Sequence, residues 1–126
     1  MKYLLPIIIT LIPLLSSAQE CDDIKTGEFI TENENTGGSI LKRSESIQEE
    51  IVEKLGVHIK YELTWTGKCS YVLYNGTLIT GDPQFEGNKS DTLFVEITSV
   101  SPEGYEFRAS TNFSDFESSG SVKRKK

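Results

Sequence analysis

The chain has 126 residues, of which 37% are hydrophobic and 25% charged, and its formal charge is −6; this composition is typical of one small, acidic, soluble domain. A single His and two Cys exclude zinc sites built from two histidines or four thiolates. The chain contains no G-x-x-x-x-G-K-[ST] or G-x-G-x-x-G string, which disfavours nucleotide enzymes. We therefore expect no metal and no cofactor, and the negative charge argues against nucleic acid as a partner.

The first 18 residues have the three parts of a secretory signal peptide. Lys2 supplies a positive charge, the stretch 4–15 is mostly apolar, and Ser16, Ser17 and Ala18 are small residues that a signal peptidase accepts. A membrane anchor is the alternative, but a spanning helix needs about 20 apolar residues, which this stretch does not reach. We predict cleavage after Ala18, export to the periplasm or the cell exterior, and no stable membrane insertion.

Two cysteines in an exported domain predict one disulfide, between Cys21 and Cys69. By the chain-entropy model such a bond contributes about 4 kcal/mol at most, because strain in the folded state subtracts from it. A redox-active or nucleophilic thiol is the alternative, but the sequence has no C-x-x-C pair. The predicted organisation is a signal peptide at 1–18, one β domain at 19–122 and a basic tail at 123–126.

Alternation of apolar and polar residues predicts antiparallel strands in the middle of the chain. The strongest signal is the segment 57–66, in which His58 falls on the polar face and is expected to point to solvent without a catalytic role. The segment 69–74 alternates in the same way. Asn75-Gly76 then has the composition of a two-residue hairpin turn, from which 77–80 would return as a short strand.

The second half of the chain predicts another hairpin and a closing strand. Alternation resumes at 92–100 after a polar loop, and the Ser-Pro-Glu-Gly sequence at 101–104 is typical of a type I turn. The segment 105–113 alternates as the partner strand, and 120–123 predicts a short final strand.

The segment 47–55 admits two interpretations. Ile47, Ile51 and Leu55 have helical spacing, Ser46 begins a capping-box pattern, and Gly56 stands where a helix would stop. In the other interpretation, 39–43 and 47–52 form a hairpin that extends the meander without a break. The residues alone leave this choice open.

Four pieces of the sequence resemble a family of small secreted Bacteroidota proteins. They are the C-x₅-G-x-F opening at 21–29, the segment 42–49, the W-x₃-C-x-Y centre at 65–71, and the Tyr-Glu-Phe and Gly-Ser-Val pieces at 105–107 and 120–122. The resemblance implies a strand after Arg43 and therefore favours the hairpin over the helix. The chain departs from the family pattern at Gly67-Lys68 and in a longer insert at 47–56.

The resemblance implies no established activity, catalytic residue or cofactor. Members of that family often carry the label "DNA topoisomerase IV", which does not fit this chain. A type II topoisomerase needs an ATP site, Mg²⁺-binding carboxylates and a basic DNA channel, whereas this chain is short and acidic.

Together these patterns predict an all-β fold, an antiparallel meander of six to eight strands that forms a small barrel or sandwich with one disulfide; a short helix near 47–55 is the variant. The apolar face of each predicted strand supplies the expected core: Phe29, Ile40, Ile47, Val57, Ile59, Tyr61, Leu63, Trp65, Tyr71, Leu73, Leu93, Val95, Ile97, Tyr105 and Phe107.

Function is predicted only at the level of class. The leading hypothesis is an exported, non-catalytic binding module that holds a small apolar ligand in a barrel mouth or a protein partner at an exposed edge. The alternatives are an envelope structural or accessory protein and, more remotely, a hydrolase that uses clustered carboxylates. An apolar cavity of roughly 300 Å³ or more would favour a free ligand. Asp91-Thr92-Leu93 also fits a short O-glycosylation pattern of exported Bacteroidota proteins, with Thr92 as the modified residue.

Overall fold

The computed structural model describes residues 21–34 and 37–126. The predicted signal peptide at 1–18 and its cleavage after Ala18 lie outside the described residues. Within the described part, no helix is long and apolar enough to cross a bilayer.

Eight strands, each antiparallel to its neighbours, make up the fold, as the alternation predicts. Each strand pairs with the next in sequence and the last pairs with the first, so the sheet is a closed barrel. The strands are β1 (Gly27–Thr31), β2 (Ser39–Arg43), β3 (Ile47–Val52), β4 (Val57–Gly67), β5 (Ser70–Thr80), β6 (Leu93–Ser101), β7 (Gly104–Thr111) and β8 (Glu117–Arg124).

The basic C-terminus is part of the strand that closes the barrel. Lys123 and Arg124 belong to β8 and pair with β1, and the Lys125 N–H donates to the Glu28 carbonyl. The ammonium groups of Lys123 and Lys125 lie 3.6 and 3.5 Å from carboxylates of Glu32 and Glu28. The strand therefore runs beyond residue 122, because Lys123 and Arg124 continue the backbone pairing with β1.

The barrel interior is filled by the apolar faces that the alternation identifies. Eight residues of the expected core are buried, and most of the others pack against them while partly exposed. The eight buried ones are Phe29, Val57, Leu63, Tyr71, Leu73, Val95, Ile97 and Tyr105.

The prediction is wrong for the inner faces of β2 and β3. Ile40 and Ile47, both expected in the core, lie on the outer face, whereas Ser39, Arg43 and Gln48 are buried. Polar residues are tolerated there because they are hydrogen-bonded: Arg43 donates to Gln48, and the Ser39 hydroxyl pairs with that of Thr31. Since side chains alternate between faces, this choice of inner face turns both isoleucines outward.

The segment 47–55 is a strand followed by a single 3₁₀ turn. β3 pairs with β2 on one side and with β4 on the other, so its backbone groups are satisfied by two ladders. The 3₁₀ turn covers Glu53–Leu55 and ends at Gly56, whose φ is 67°. The hairpin interpretation is confirmed, and the stop signal at Gly56 belongs to this turn, because pairing on both sides outweighs the local helical spacing.

Asn75-Gly76 is a bulge, and the predicted hairpin turn at this point is wrong. β5 continues through both residues, which together oppose Tyr61 of β4 in the ladder. Asn75 has φ 50° and is the one residue other than glycine with positive φ in the described ranges. Its side-chain amide donates to the Glu62 carboxylate. Asn75-Gly76 thus contains a residue with positive φ, as the sequence predicts, but this residue lies in a bulge within a long strand and not in a turn.

Candidate functional site

One end of the barrel, which we call the closed end, is covered by the segment before β1. Cys21 is bonded to Cys69, with their Cα atoms 5.5 Å apart, which confirms the predicted disulfide. Ile24, which belongs to this segment, is fully buried. The ammonium of Lys25 lies 5.2 Å from the centre of the Trp65 ring. The disulfide therefore ties the segment before β1 to the turn between β4 and β5, with Cys21 and Ile24 buried in this end of the barrel.

Arg43 lies inside the closed end and is buried, with 5% of its surface exposed. Its Nε donates to Gln48 Oε1 at 2.9 Å, and its Nη1 donates to the Ile24 carbonyl at 2.9 Å. Nη2 donates to the hydroxyls of Tyr71 and Tyr105. In the described part of the chain, no carboxylate lies within ion-pair distance of this guanidinium.

Aromatic rings compensate for the missing counter-ion of Arg43. The guanidinium carbon lies 4.9, 5.0 and 5.5 Å from the ring centres of Phe29, Tyr71 and Tyr105, a geometry in which the negative ring faces attract a cation. Burial, reinforced by the neighbouring Tyr105, raises the pKa of Tyr71, and the nearby Arg43 opposes that rise. The guanidinium and its hydrogen-bonded partners therefore form a polar cluster inside the closed end.

The opposite end, which we call the open end, has a gap in the barrel wall. β5 pairs with β6 only from Ser70 to Leu73, opposite Glu96 to Leu93. The rest of β5, residues 74–80, has no strand partner on this side, because the chain leaves at residue 81 and does not return to the sheet until Leu93. The wall there is completed by the connection 81–92.

An apolar cavity of about 160 Å³ occupies this gap, and we call it the mouth cavity. Its apolar lining comes from β4, β5, β6 and two loop phenylalanines, and the polar groups lie on the connection 81–92. The apolar lining residues are Ile59, Tyr61, Leu73, Leu78, Leu93, Phe85 and Phe113, and the polar ones are Glu86, Asn88, Asp91 and Thr92.

Two short turns shape the connection that borders the mouth cavity. Asp82 caps a 3₁₀ turn over Pro83–Phe85 by accepting from the Gln84 N–H at 3.0 Å, which presents Phe85 to the cavity. Farther along, Asp91 Oδ2 accepts from the Asn88 N–H at 3.0 Å. Each carboxylate satisfies backbone donors that no strand ladder reaches, so the connection has a defined course.

Asn112 fastens this connection to the loop between β7 and β8. Its Oδ1 accepts from the Thr92 N–H at 2.8 Å, and its Nδ2 donates to the Ser90 carbonyl at 2.8 Å. The Asn112 N–H in turn donates to the Thr92 carbonyl. Because Asn112 makes these contacts, β7 ends at Thr111, and Phe113, expected on the strand, lies in the loop at the cavity.

Two ionisable groups lie on the inner side of β3 and β4 near the mouth cavity. Burial raises the pKa of Glu50, and a hydrogen bond from Ser39 lowers it in part. Burial, together with the Glu50 charge, raises the pKa of Tyr61 to about 12. Tyr61 is therefore neutral at physiological pH and presents a ring and a hydroxyl, not an anion, to the cavity.

The structure distributes the predicted site residues between the two ends. Cys21 and Cys69 form the disulfide of the closed end, whereas Thr92 lies at the rim of the mouth cavity, half-buried. Modification of Thr92 stays a prediction. His58 lies on the outer face of β4, and its Nε2 is 2.8 Å from Glu49 Oε1.

The mouth cavity combines an apolar lining with polar groups at its rim. As the structure describes it, the lining contains no His, Cys, Lys or Arg. In residues 21–34 and 37–126, no three His, Cys, Asp or Glu side chains cluster in a way that could hold a metal ion. The lining offers apolar surface for burial and carbonyl or carboxylate oxygens at the rim.

The sequence predictions miss the role of several residues at the two ends of the barrel. Arg43 and Gln48 lie in polar segments, so hydropathy does not mark them as buried. The signal that could reveal them is the pairing of an Arg on one strand with a Gln five residues later on the next. Asn112 carries a weaker signal, since a lone Asn beside a Phe occurs in many loops. The sequence marks Gly76 as a position for an unusual backbone conformation, but predicts a turn in place of the observed bulge.

Comparison with protein-family models, with curated proteins and with solved structures gives no match for this chain. The resemblance to secreted Bacteroidota proteins therefore stays a prediction.

Proposed function

We propose that this protein is an exported, non-catalytic binding module that receives one apolar group, about the size of a benzene ring, in the mouth cavity. The observation that carries the proposal is the gap between β5 and β6, where apolar side chains line a cavity of about 160 Å³. Export is supported by the disulfide, since such bonds persist in oxidising compartments.

The volume of the mouth cavity selects the size of the bound group. Sites that enclose a whole drug-sized ligand have about 300–1,000 Å³, which is more than this cavity offers. An engineered apolar cavity of about 150 Å³ binds benzene. The ligand is therefore a small apolar molecule, or a single apolar group of a larger one whose remainder stays outside.

The position of the polar groups supports binding without chemistry. Asp91 accepts from a backbone N–H of its own loop, and His58 lies on the outer face, where it is bonded to Glu49. The buried Arg43 is saturated by its own partners at the other end.

A titration of the purified, oxidised protein with benzene, followed by amide chemical shifts, tests the proposal. We expect saturable shifts at residues that line the mouth cavity, such as Leu78, Leu93 and Phe113. Leu78→Trp, which fills the cavity, should abolish them. Leu55→Trp makes the same change at an exposed position outside the lining and should leave them intact. Shifts that are absent, or equal in Leu78→Trp, would contradict the proposal and favour a structural role in the envelope.

A further inference from the structure

We infer that the natural occupant of the mouth cavity is one apolar side chain of an extended polypeptide that adds a strand to the free edge of β5. This inference rests on the proposed function and names the class of partner. It follows from three features that meet at the same place: an unpaired strand edge, a cavity of side-chain size and two lysines.

The first feature is the unpaired edge of β5. After Leu73 the strand continues to Thr80 without a partner on the β6 side. The Gly76 carbonyl points to this edge, because it accepts from the Lys89 ammonium at 3.1 Å. Alternate residues of a strand direct their amide groups to the same edge, so Leu78 also offers its N–H and C=O there.

The second feature is that the cavity lies beside this edge. Gly76 and Leu78 both line the mouth cavity, so their inner faces adjoin the apolar space while their amide groups point along the sheet. A strand that paired with Leu78 would place its opposite residue on the same inner face. One aromatic or leucine side chain would then fill the cavity, and the next residues would point outward.

The third feature is charge on the outer side of the same edge. Lys60 and Lys89 line an open groove together with Ile79. Of the neighbouring carboxylates, Glu62 lines the groove itself, and Glu49 lies opposite Lys60 and contacts His58. Two lysines against one carboxylate give the groove lining a net charge of +1, which suits a segment that carries Asp or Glu beside its apolar residue.

These features together favour a polypeptide over a free small molecule. A free apolar molecule would fill the cavity but leave the amide groups of Leu78 unpaired, and only a backbone offers donors and acceptors at strand spacing. Lys89, which now holds the Gly76 carbonyl and the Thr77 hydroxyl, would release both and pair with a carboxylate of the incoming segment.

The test uses a fluorescein-labelled peptide of sequence Glu-Thr-Val-Thr-Phe-Thr-Val-Thr-Glu with an amidated end, and fluorescence anisotropy with the oxidised protein. We expect saturable binding that weakens about tenfold or more when the central Phe is replaced by Ala, from the apolar area lost. In this pairing the residue that fills the cavity also directs its amide to β5. N-methylation of the Phe amide should therefore weaken binding about tenfold, whereas N-methylation of the next Thr, which faces away, should change it less than about threefold.

Protein variants provide the second arm. Leu78→Trp should abolish peptide binding, and Lys60→Glu combined with Lys89→Glu should weaken it, with Leu55→Trp and Lys54→Glu as matched controls away from the edge. Equal effects of the two N-methyl peptides would overturn the strand-addition inference. So would benzene binding without peptide binding, which leaves the proposed function standing. Binding of neither probe would reject both, and a concentration-dependent dimer that excludes the peptide would show that a second copy occupies the edge.

Discussion

Individual side chains decide the character of each end of this barrel. Arg43 replaces what alternation predicts as an apolar interior with a cation held by tyrosine hydroxyls and aromatic faces. Glu50, near the other end, is a carboxylate that burial disfavours in its charged form. Both are departures from an apolar core, but Arg43 is satisfied by several partners, whereas Glu50 has only the Ser39 hydroxyl to oppose the effect of burial.

Replacement of Arg43 by lysine should destabilise the folded protein. Arg43→Lys keeps the charge but loses the planar group that reaches Gln48, Ile24 and two tyrosines at once. We expect the free energy of unfolding to fall by about 2–4 kcal/mol, measured by urea denaturation with the disulfide intact. Lys42→Ala, on the adjacent exposed position, should change it by less than about 0.5 kcal/mol. An Arg43→Lys variant as stable as wild type would refute this role.

Glu50 should give the protein a component of stability that declines as pH rises. Its pKa is higher in the folded chain than the unperturbed value of 4.5, so the folded state holds the proton more tightly. That stabilisation is complete below the unfolded pKa and is lost as pH rises through the raised folded pKa.

The Glu50→Gln variant isolates this component. Its free energy of unfolding should exceed that of wild type at neutral pH, and the difference should shrink toward pH values below 4.5. Glu53→Gln, an exposed change on the following turn, should show no such pH-dependent difference. A constant difference between Glu50→Gln and wild type at all pH values would contradict the assignment.

At the scale of elements, β5 is the strand that creates the site. Its bulge at Asn75-Gly76 lets Tyr61 lie against the backbone, since a Cβ on Gly76 would come 2.9 Å from the Tyr61 ring. Beyond the bulge, the strand outlasts its pairing with β6 and leaves the gap that becomes the mouth cavity.

Gly76→Ala should therefore act on the cavity as well as on stability. The new methyl group must displace the Tyr61 ring, so we expect a loss of about 1–3 kcal/mol in the free energy of unfolding and weaker benzene binding. Thr77→Ala, at the next, outward-facing position, serves as the control for both measurements. Gly76→Ala with unchanged stability and affinity would show that the ring does not depend on this glycine.

The sequence predicts these elements unevenly, for physical reasons. Strands with one apolar face, such as 57–66 and 92–100, can be predicted, because burial of one face makes apolar and polar residues alternate along the sequence. β3 is harder, because its buried positions include Gln48, and its isoleucines cover the outside. The bulge at Asn75 cannot be told from a hairpin turn, since both need a residue that tolerates positive φ.

At the scale of the whole molecule, the two ends of the barrel differ in structure: one is filled with side chains, and the other contains a cavity. The disulfide, Ile24 and the Arg43 cluster fill one end, while the other is completed only by a connection that Asn112 fastens. The sequence predicts the disulfide, because it contains two cysteines in a chain that is expected to be exported. The sequence does not predict the lining of the mouth cavity. The cavity forms where β5 continues beyond its pairing with β6, and no local sequence pattern indicates where that pairing ends.

The most direct measurement is a crystal structure of the oxidised protein exposed to xenon under pressure. Xenon enters apolar cavities of this size without needing polar contacts. We predict one strong xenon peak between Leu78, Leu93 and Phe113, absent in a crystal of Leu78→Trp. A barrel whose β5 and β6 pair along their full length, or a gap that holds ordered water in place of xenon, would contradict the account.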